Sequence, residues 1–127
     1  MDLIGSSKQR AVSCMEYFLR NFSHVPDDKL DWTPTSTAKS AIRVAAHTAL
    51  HAGRFARMIR DRRLPAADNL TEWLAQRNAE EAAITSRKEM ERAFREGTAE
   101  VLEALDTLTP EEIEMSLDSG QGPREEE

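Results

Sequence analysis

The sequence predicts an all-α protein, an up-and-down bundle of helices. Apolar residues recur at spacings of three and four over several long stretches, which is the period of an amphipathic helix. No stretch shows the alternation of apolar and polar residues that is typical of a strand. Only five glycines and five prolines occur among 127 residues, so few positions interrupt a helix.

Four helices account for most of the chain. They are predicted over residues 6–22, 38–62, 71–82 and 86–108. The expected N-caps are Ser6 or Ser7 for the first helix, Ser36 or Thr37 for the second, and Ser86, in a Ser-x-x-Glu capping box, for the fourth. Trp73 and Leu74 are the expected anchors of the third helix, and Pro110 is expected to open a short turn after the fourth.

The second helix has two apolar faces. One face carries mostly small residues, which allow a neighbouring helix to approach closely: Ile42, Ala45, Ala46, Ala49, Gly53 and Ala56. The opposite face carries Val44, His47, His51, Phe55 and Met58. We therefore expect this helix to be covered on two sides, with both histidines directed into an interior gap.

Composition limits the class of protein. No apolar run approaches the length of a membrane span, and the N-terminus lacks a signal-peptide core. Cys14 is the single cysteine, which favours a reducing compartment, so we expect a cytoplasmic protein without membrane association. The net charge of −6 argues against nucleic acid as a partner. We predict one bundle domain over residues 1–118 and a disordered acidic tail over 119–127.

Charge is distributed unevenly along the chain. Residues 39–63 contain seven basic and one acidic residue, and residues 96–127 contain eleven acidic and one basic residue. The two segments either face one another or simply solvate their helices. The alternative is a basic groove for an anionic ligand, in which Arg43, Arg54 and Arg57 would take part. Without such a ligand, these three arginines are expected at the solvent-exposed rim of the second helix.

His47 and His51 lie one helical turn apart, a spacing at which two imidazoles can reach one divalent ion. The position after His47 is Thr48, which excludes the His-Glu-x-x-His pattern of zinc proteases. Two ligands are too few for a stable site. The pair therefore has two interpretations, a metal site or two packed histidines.

A third metal ligand has to come from another helix. His24 is expected near the start of the second helix, about 15 Å from His47 at 1.5 Å per residue, and is not expected to join. A carboxylate is the other candidate, and the sequence does not rank the possible ones: Glu16, Glu89, Glu91 and Glu96.

Two further residue types have a structural and a functional interpretation. Cys14 is expected as a small buried or half-buried residue, because no basic partner for a nucleophile is apparent. Trp32 and Trp73 are expected as packing anchors, with the wall of a ligand pocket as the alternative.

Several motifs in order resemble one family. These are the Leu-Asp-Trp-x-Pro turn at residues 30–34, the helix entry at 40–42, the helical His47, and the segment 86–114. Over residues 11–116 the chain is similar to the DinB-like superfamily, the damage-inducible and thiol-transferase-like four-helix bundles. The resemblance implies a divalent metal, zinc or nickel, held by three histidines, of which His47 matches the first; His51 falls where the family varies.

The resemblance implies two more histidine ligands on a last long helix. This chain has "DSGQGPREEE" there, without a histidine or an apolar stripe. The chain is then truncated, or it completes its bundle by pairing with a second copy, or it has kept the fold and lost the metal. Because a bundle that lacks one helix exposes an apolar groove, we predict a homodimer.

Two functions remain open from the sequence. The first is a ligand-binding or dimeric protein with an incomplete metal site. The second is a metal-dependent hydrolase or thiol S-transferase that uses His47. The sequence identifies no substrate and does not decide whether the protein is an enzyme.

Overall fold

The structure, a computed structural model, describes residues 2–63 and 68–119. It contains the helices α1 (Leu3–Phe22), α2 (Ala41–Asp61), α3 (Leu70–Ala83), α4 (Arg87–Asp106) and α5 (Pro110–Ser119), with a short 3₁₀ helix at Asp27–Lys29 between α1 and α2. Over the described ranges the chain forms no strand. The predicted all-α class is confirmed.

Helix starts differ from prediction wherever several capping residues compete. The cap of α1 is Asp2, whose carboxylate accepts from the Gly5 amide, so the helix begins before Ser6. The cap of α2 is Ser40. Residues 36 and 37 are not helical because the chain turns there, with the Ala38 amide donating to Thr35. The predicted cap of α4 is confirmed, since the Ser86 hydroxyl accepts from the Glu89 amide.

The core forms where α2 packs against α4 in a parallel orientation. Residue numbers increase in the same direction along both helices: Ala45 and Met90 belong to one core cluster, and Ala56 and Val101 belong to the next. At Gly53 and Gly97 the two backbones come so close that a Cβ on Gly97 would lie 2.8 Å from the Gly53 nitrogen. The predicted small-residue face of α2 thus permits the close approach that was expected of it.

Helix α1 runs antiparallel to α4 and packs beside it. Near one end Phe18 packs edge-on against Phe94, with ring centroids 5.6 Å apart, and Glu16 pairs with Arg95. At the other end Lys8 pairs with Asp106. Helices α1 and α2 both pack mainly on α4 and share a core cluster with it, and a groove remains between them.

Helix α3 packs mainly on α2 and is held mainly by polar contacts. Its buried residue is Glu81, whereas Leu74 is 46% exposed. Trp73 is half-buried and stacks under the Arg77 guanidinium. The prediction that Leu74 anchors this helix is therefore wrong, because an ion pair anchors it instead.

The histidine-bearing face of α2 is not covered. Val44 is 50% exposed, and Phe55 and both histidines are also exposed. The prediction of a helix covered on two sides is wrong, because α3 crosses only one edge of this face and the groove leaves the other edge open. Trp32 and Cys14 are exposed as well, contrary to their predicted burial.

The chain beyond α4 forms a ten-residue helix rather than the predicted short turn. Arg62, which follows α2, joins α5 to the bundle through Glu112. The distance between Nε of Arg62 and Oε2 of Glu112 is 2.7 Å. One contact between the basic and acidic segments is therefore direct. The predicted tail lies outside the described residues except for Ser119. Among the helices that the structure describes, none has both the length and the apolar character of a membrane span.

Candidate functional site

Three rings form a row along the exposed face of α2. His47, His51 and Phe55 follow one another at helical spacing, so their side chains stack. The ring centroids of the two histidines are 6.3 Å apart, and those of His51 and Phe55 are 6.4 Å apart. The histidine planes are inclined by only 28°, so the two imidazoles are nearly parallel and stacked.

His47 is tied to α3. Its Nδ1 lies 2.8 Å from Oε2 of Glu81, a residue 34 positions further along the chain. The His47 side chain is 53% exposed, whereas that of Glu81 is 3% exposed. The bond therefore joins a half-exposed imidazole to a buried carboxylate. His51 has no hydrogen bond to a described residue. The two histidines, which the sequence presents as a pair, therefore have different surroundings.

Arg54 supplies the charge that Glu81 needs when buried. Its guanidinium lies 3.0 Å from the same Oε2 and 3.2 Å from Oε1 of Glu80, and its side chain is only 6% exposed. Burial raises the pKa of Glu81, but the hydrogen bonds from His47 and Arg54 together with their charges outweigh it, so the pKa lies below its ordinary value. The second oxygen, Oε1, is buried and has no partner among the described residues.

An apolar groove lies between α1 and α2, with α4 beneath it. Its volume is about 670 Å³. The apolar side chains that line it include Met15, Ala52, Ile59, Phe94, Val101 and Leu105. Polar side chains contribute to its lining as well: Ser7, Arg10, Cys14, Thr48, His51 and Thr98. His51 and Phe55 belong both to the ring row and to the groove, so the two features are continuous.

The histidine pair alone does not make a metal site. Across residues 2–63 and 68–119, no group of three or more His, Cys, Asp and Glu side chains is placed to hold an ion. The predicted carboxylates lie elsewhere: Glu16 and Glu91 both pair with Arg95, and neither Glu89 nor Glu96 forms a hydrogen bond with the histidines. The assignment of His47 and His51 as ligands remains a prediction, and further ligands would be required.

Sequence reasoning missed Glu81 and misplaced Arg54. Arg54 lies seven residues after His47, nearly two helical turns, and therefore near the same face. Helix α3 has few apolar residues but adjacent glutamates at positions 80 and 81. Those two signals together could have suggested an ion pair between the helices. Which glutamate would be buried depends on how α3 is rotated on α2.

Comparison with known proteins gives one match. The sequence profile described as the DinB superfamily matches residues 13–126, most of the chain. Neither the curated proteins nor the solved structures gave a match.

Proposed function

We propose that this chain, which belongs to the DinB superfamily, is a binding protein that holds an apolar small molecule in the groove between α1 and α2. The observation that carries this proposal is the groove itself. Its volume of about 670 Å³ falls within the roughly 300–1,000 Å³ of small-molecule sites. A mainly apolar lining with a few polar side chains is also typical of such sites.

The polar lining indicates where a ligand is oriented. Thr48 and His51 lie on neighbouring turns of α2, and Arg10 and Cys14 lie one turn apart on α1. The hydroxyl of Thr48 donates to the Val44 carbonyl. Among the other polar lining residues, Arg10 carries a positive charge and His51 has ring nitrogens, so these two are suited to bind a polar or anionic group. The ligand class is thus an apolar body with a polar or anionic end.

A second copy of the chain covers the open side of the groove. Small-molecule sites bury roughly 70–90% of the ligand surface, which an open groove does not achieve. Phe55 lines the groove and is 44% exposed. Contiguous apolar surface of this kind favours association, so the proposed binding protein is a homodimer.

The apolar fluorescent dye ANS tests the groove as a binding site. Native wild-type protein is expected to bind the dye saturably. Phe55→Ala should weaken binding roughly fivefold, since it removes about 1 kcal/mol of apolar contact. Val44→Ala is the matched control, because Val44 lies on the same helix with 50% exposure but does not line the groove. Absence of dye binding by folded wild type, or equal effects of the two variants, would contradict the proposal.

A second candidate function is a metal-dependent hydrolase or thiol S-transferase, and the bond between His47 and Glu81 favours it. Metal-binding histidines commonly donate their other ring N–H to a carboxylate, as His47 is placed to do. A bound divalent metal would polarise a substrate or lower the pKa of a nucleophile. The described residues supply at most the two histidines, so the other ligands would come from outside them.

Metal content tests this second candidate. Protein purified without a chelator is expected to retain zinc or nickel close to one ion per chain, and His47→Ala should abolish this. His24→Ala serves as the control, because His24 lies in the connection after α1 and is not part of the ring row on α2. Wild-type protein that retains no metal, with His47→Ala equal in metal content and stability, would exclude the candidate.

A further inference from the structure

We infer that Glu81, held in place by Arg54, is a positioning residue for His47: it fixes the imidazole proton on Nδ1 and leaves the lone pair on Nε2. The inference concerns which nitrogen of His47 binds a ligand, so it deepens the second candidate function and rests on it for its biological meaning. The tautomer itself does not depend on a bound metal.

Glu81 can only accept a hydrogen bond here. A guanidinium remains protonated at all ordinary pH values, and that of Arg54 lies buried, 3.0 Å from Oε2 of Glu81. A buried arginine requires a negative partner, because an unpaired buried charge is strongly unfavourable. Glu80 also contacts Arg54 but is 47% exposed, so Glu81 is the buried partner of this charge and is a carboxylate, which has acceptors and no donor.

The proton between Glu81 and His47 must therefore belong to the histidine. The distance of 2.8 Å between Nδ1 and Oε2 is that of a charge-assisted hydrogen bond. In a neutral imidazole one nitrogen donates and the other accepts. With Nδ1 as the donor, Nε2 carries the lone pair. A free neutral imidazole in water favours the opposite tautomer, so Glu81 reverses the usual preference.

The contact also restricts the orientation of the ring. Glu81 lies on α3, and Arg54 clamps it from α2 while also contacting Glu80 and the Arg77 carbonyl. The carboxylate is 3% exposed and held by two donors, so it is a rigid acceptor. His51 lacks such a partner among the described residues and should rotate between positions. His47, rather than His51, would therefore present an oriented Nε2 to a borderline divalent ion such as zinc.

Nitrogen-15 NMR of metal-free, histidine-labelled protein tests the tautomer directly. Spectra are recorded at about pH 8, above the ordinary histidine pKa of about 6.5. His47 is expected to show a protonated Nδ1 and an unprotonated Nε2, whereas His24 and His51 should show the usual Nε2–H form. A His47 signal of the usual form in wild-type protein would overturn the inference without any variant.

Two carboxylate variants then isolate the role of Glu81. Glu81→Ala should return His47 to the usual tautomer and, if the wild type binds zinc, weaken zinc binding about 10–100-fold. Glu80→Ala is the matched control, because Glu80 contacts the same guanidinium but not His47; it should leave both readouts unchanged. A persistent Nδ1–H form in folded Glu81→Ala would overturn the inference. Wild-type protein that binds no zinc would contradict the metal-dependent function alone, and the tautomer would still decide the role of Glu81.

Discussion

Arg62 ends α2 in a left-handed backbone conformation, with φ of 56°. Glycine or asparagine usually occupies such a position because a Cβ is unfavourable there. The Arg62 side chain offsets this cost through several hydrogen bonds. Its guanidinium binds the Thr107 carbonyl at 2.7 Å and both carboxylate oxygens of Glu112, at 2.7 and 3.1 Å. One side chain thereby joins the end of α2 to the turn after α4 and to α5.

The Arg62–Glu112 pair predicts a stability change at acidic pH. The Arg62 guanidinium, followed by the Thr109 amide, lowers the pKa of Glu112 from 4.5 to about 2. Because the folded-state pKa is the lower one, the contribution is fully present above pH 4.5 and is lost as the pH falls towards 2. Glu112→Gln should therefore lower the thermal midpoint slightly at pH 7, and the difference from wild type should vanish near pH 2.

Thermal unfolding at several pH values measures this effect. Glu111→Gln is the control, since Glu111 is the neighbouring exposed carboxylate and forms no ion pair with a described residue. A difference between Glu112→Gln and wild type that stays constant from pH 7 to pH 2 would show that the carboxylate charge is not responsible.

At the scale of the helices, the contact between α2 and α4 depends on two glycines with unequal surroundings. A Cβ on Gly97 would lie 2.8 Å from the Gly53 nitrogen and 3.1 Å from the Ala52 Cβ. A Cβ on Gly53 would meet the Glu100 carboxylate at 3.4 Å and the Gly97 Cα at 3.9 Å, which are ordinary contacts. A glycine within a helix lowers its helix propensity, but Gly97 of α4 permits close packing.

The two glycines predict opposite effects on stability. Gly97→Ala should destabilise the protein by about 1–3 kcal/mol, because the added methyl group forces two backbones apart. Gly53→Ala should be neutral or stabilising by up to about 1 kcal/mol, because alanine favours the helix and its methyl group has room. Urea unfolding measures both free energies. Equal stability of the two variants would contradict the proposed difference in packing.

At the scale of the whole molecule, the arrangement of α1, α2 and α4 leaves an open side. Helices α1 and α2 each pack on α4, and the groove between them has an apolar lining. The predicted homodimer covers this side. Phe55 is the test residue, because it lines the groove and remains 44% exposed in the single chain.

Light scattering at micromolar concentration tests the dimer. Wild-type protein should have twice the mass of the chain, and Phe55→Glu should be monomeric, because each copy would bring an unpaired charge into the apolar contact. Val44→Glu, at a similarly exposed position outside the groove, should remain dimeric. A wild-type monomer would contradict the prediction, as would equal behaviour of the two variants with unchanged helical content.

Local sequence patterns specify the helices and much of the core. The stripe of Met15 and Phe22 on α1, the small residues of α2 and the capping serine of α4 follow from spacing and local hydrogen bonding, which act within one or two turns. The first turns of α1 and α2 were misplaced by three residues each, since neighbouring polar residues offer similar caps. The resemblance in the motifs around Trp32 and His47 also led to the correct family.

The surroundings of the histidines depend on how the helices dock. Glu81 and His47 are 34 residues apart, and Glu81 and Arg54 are 27 apart, so their contact depends on how α3 rests on α2. The ring row is exposed because no helix of the described chain covers that face of α2. Local periodicity identifies an apolar face because it repeats along one helix, whereas a buried ion pair exists only once two helices have docked.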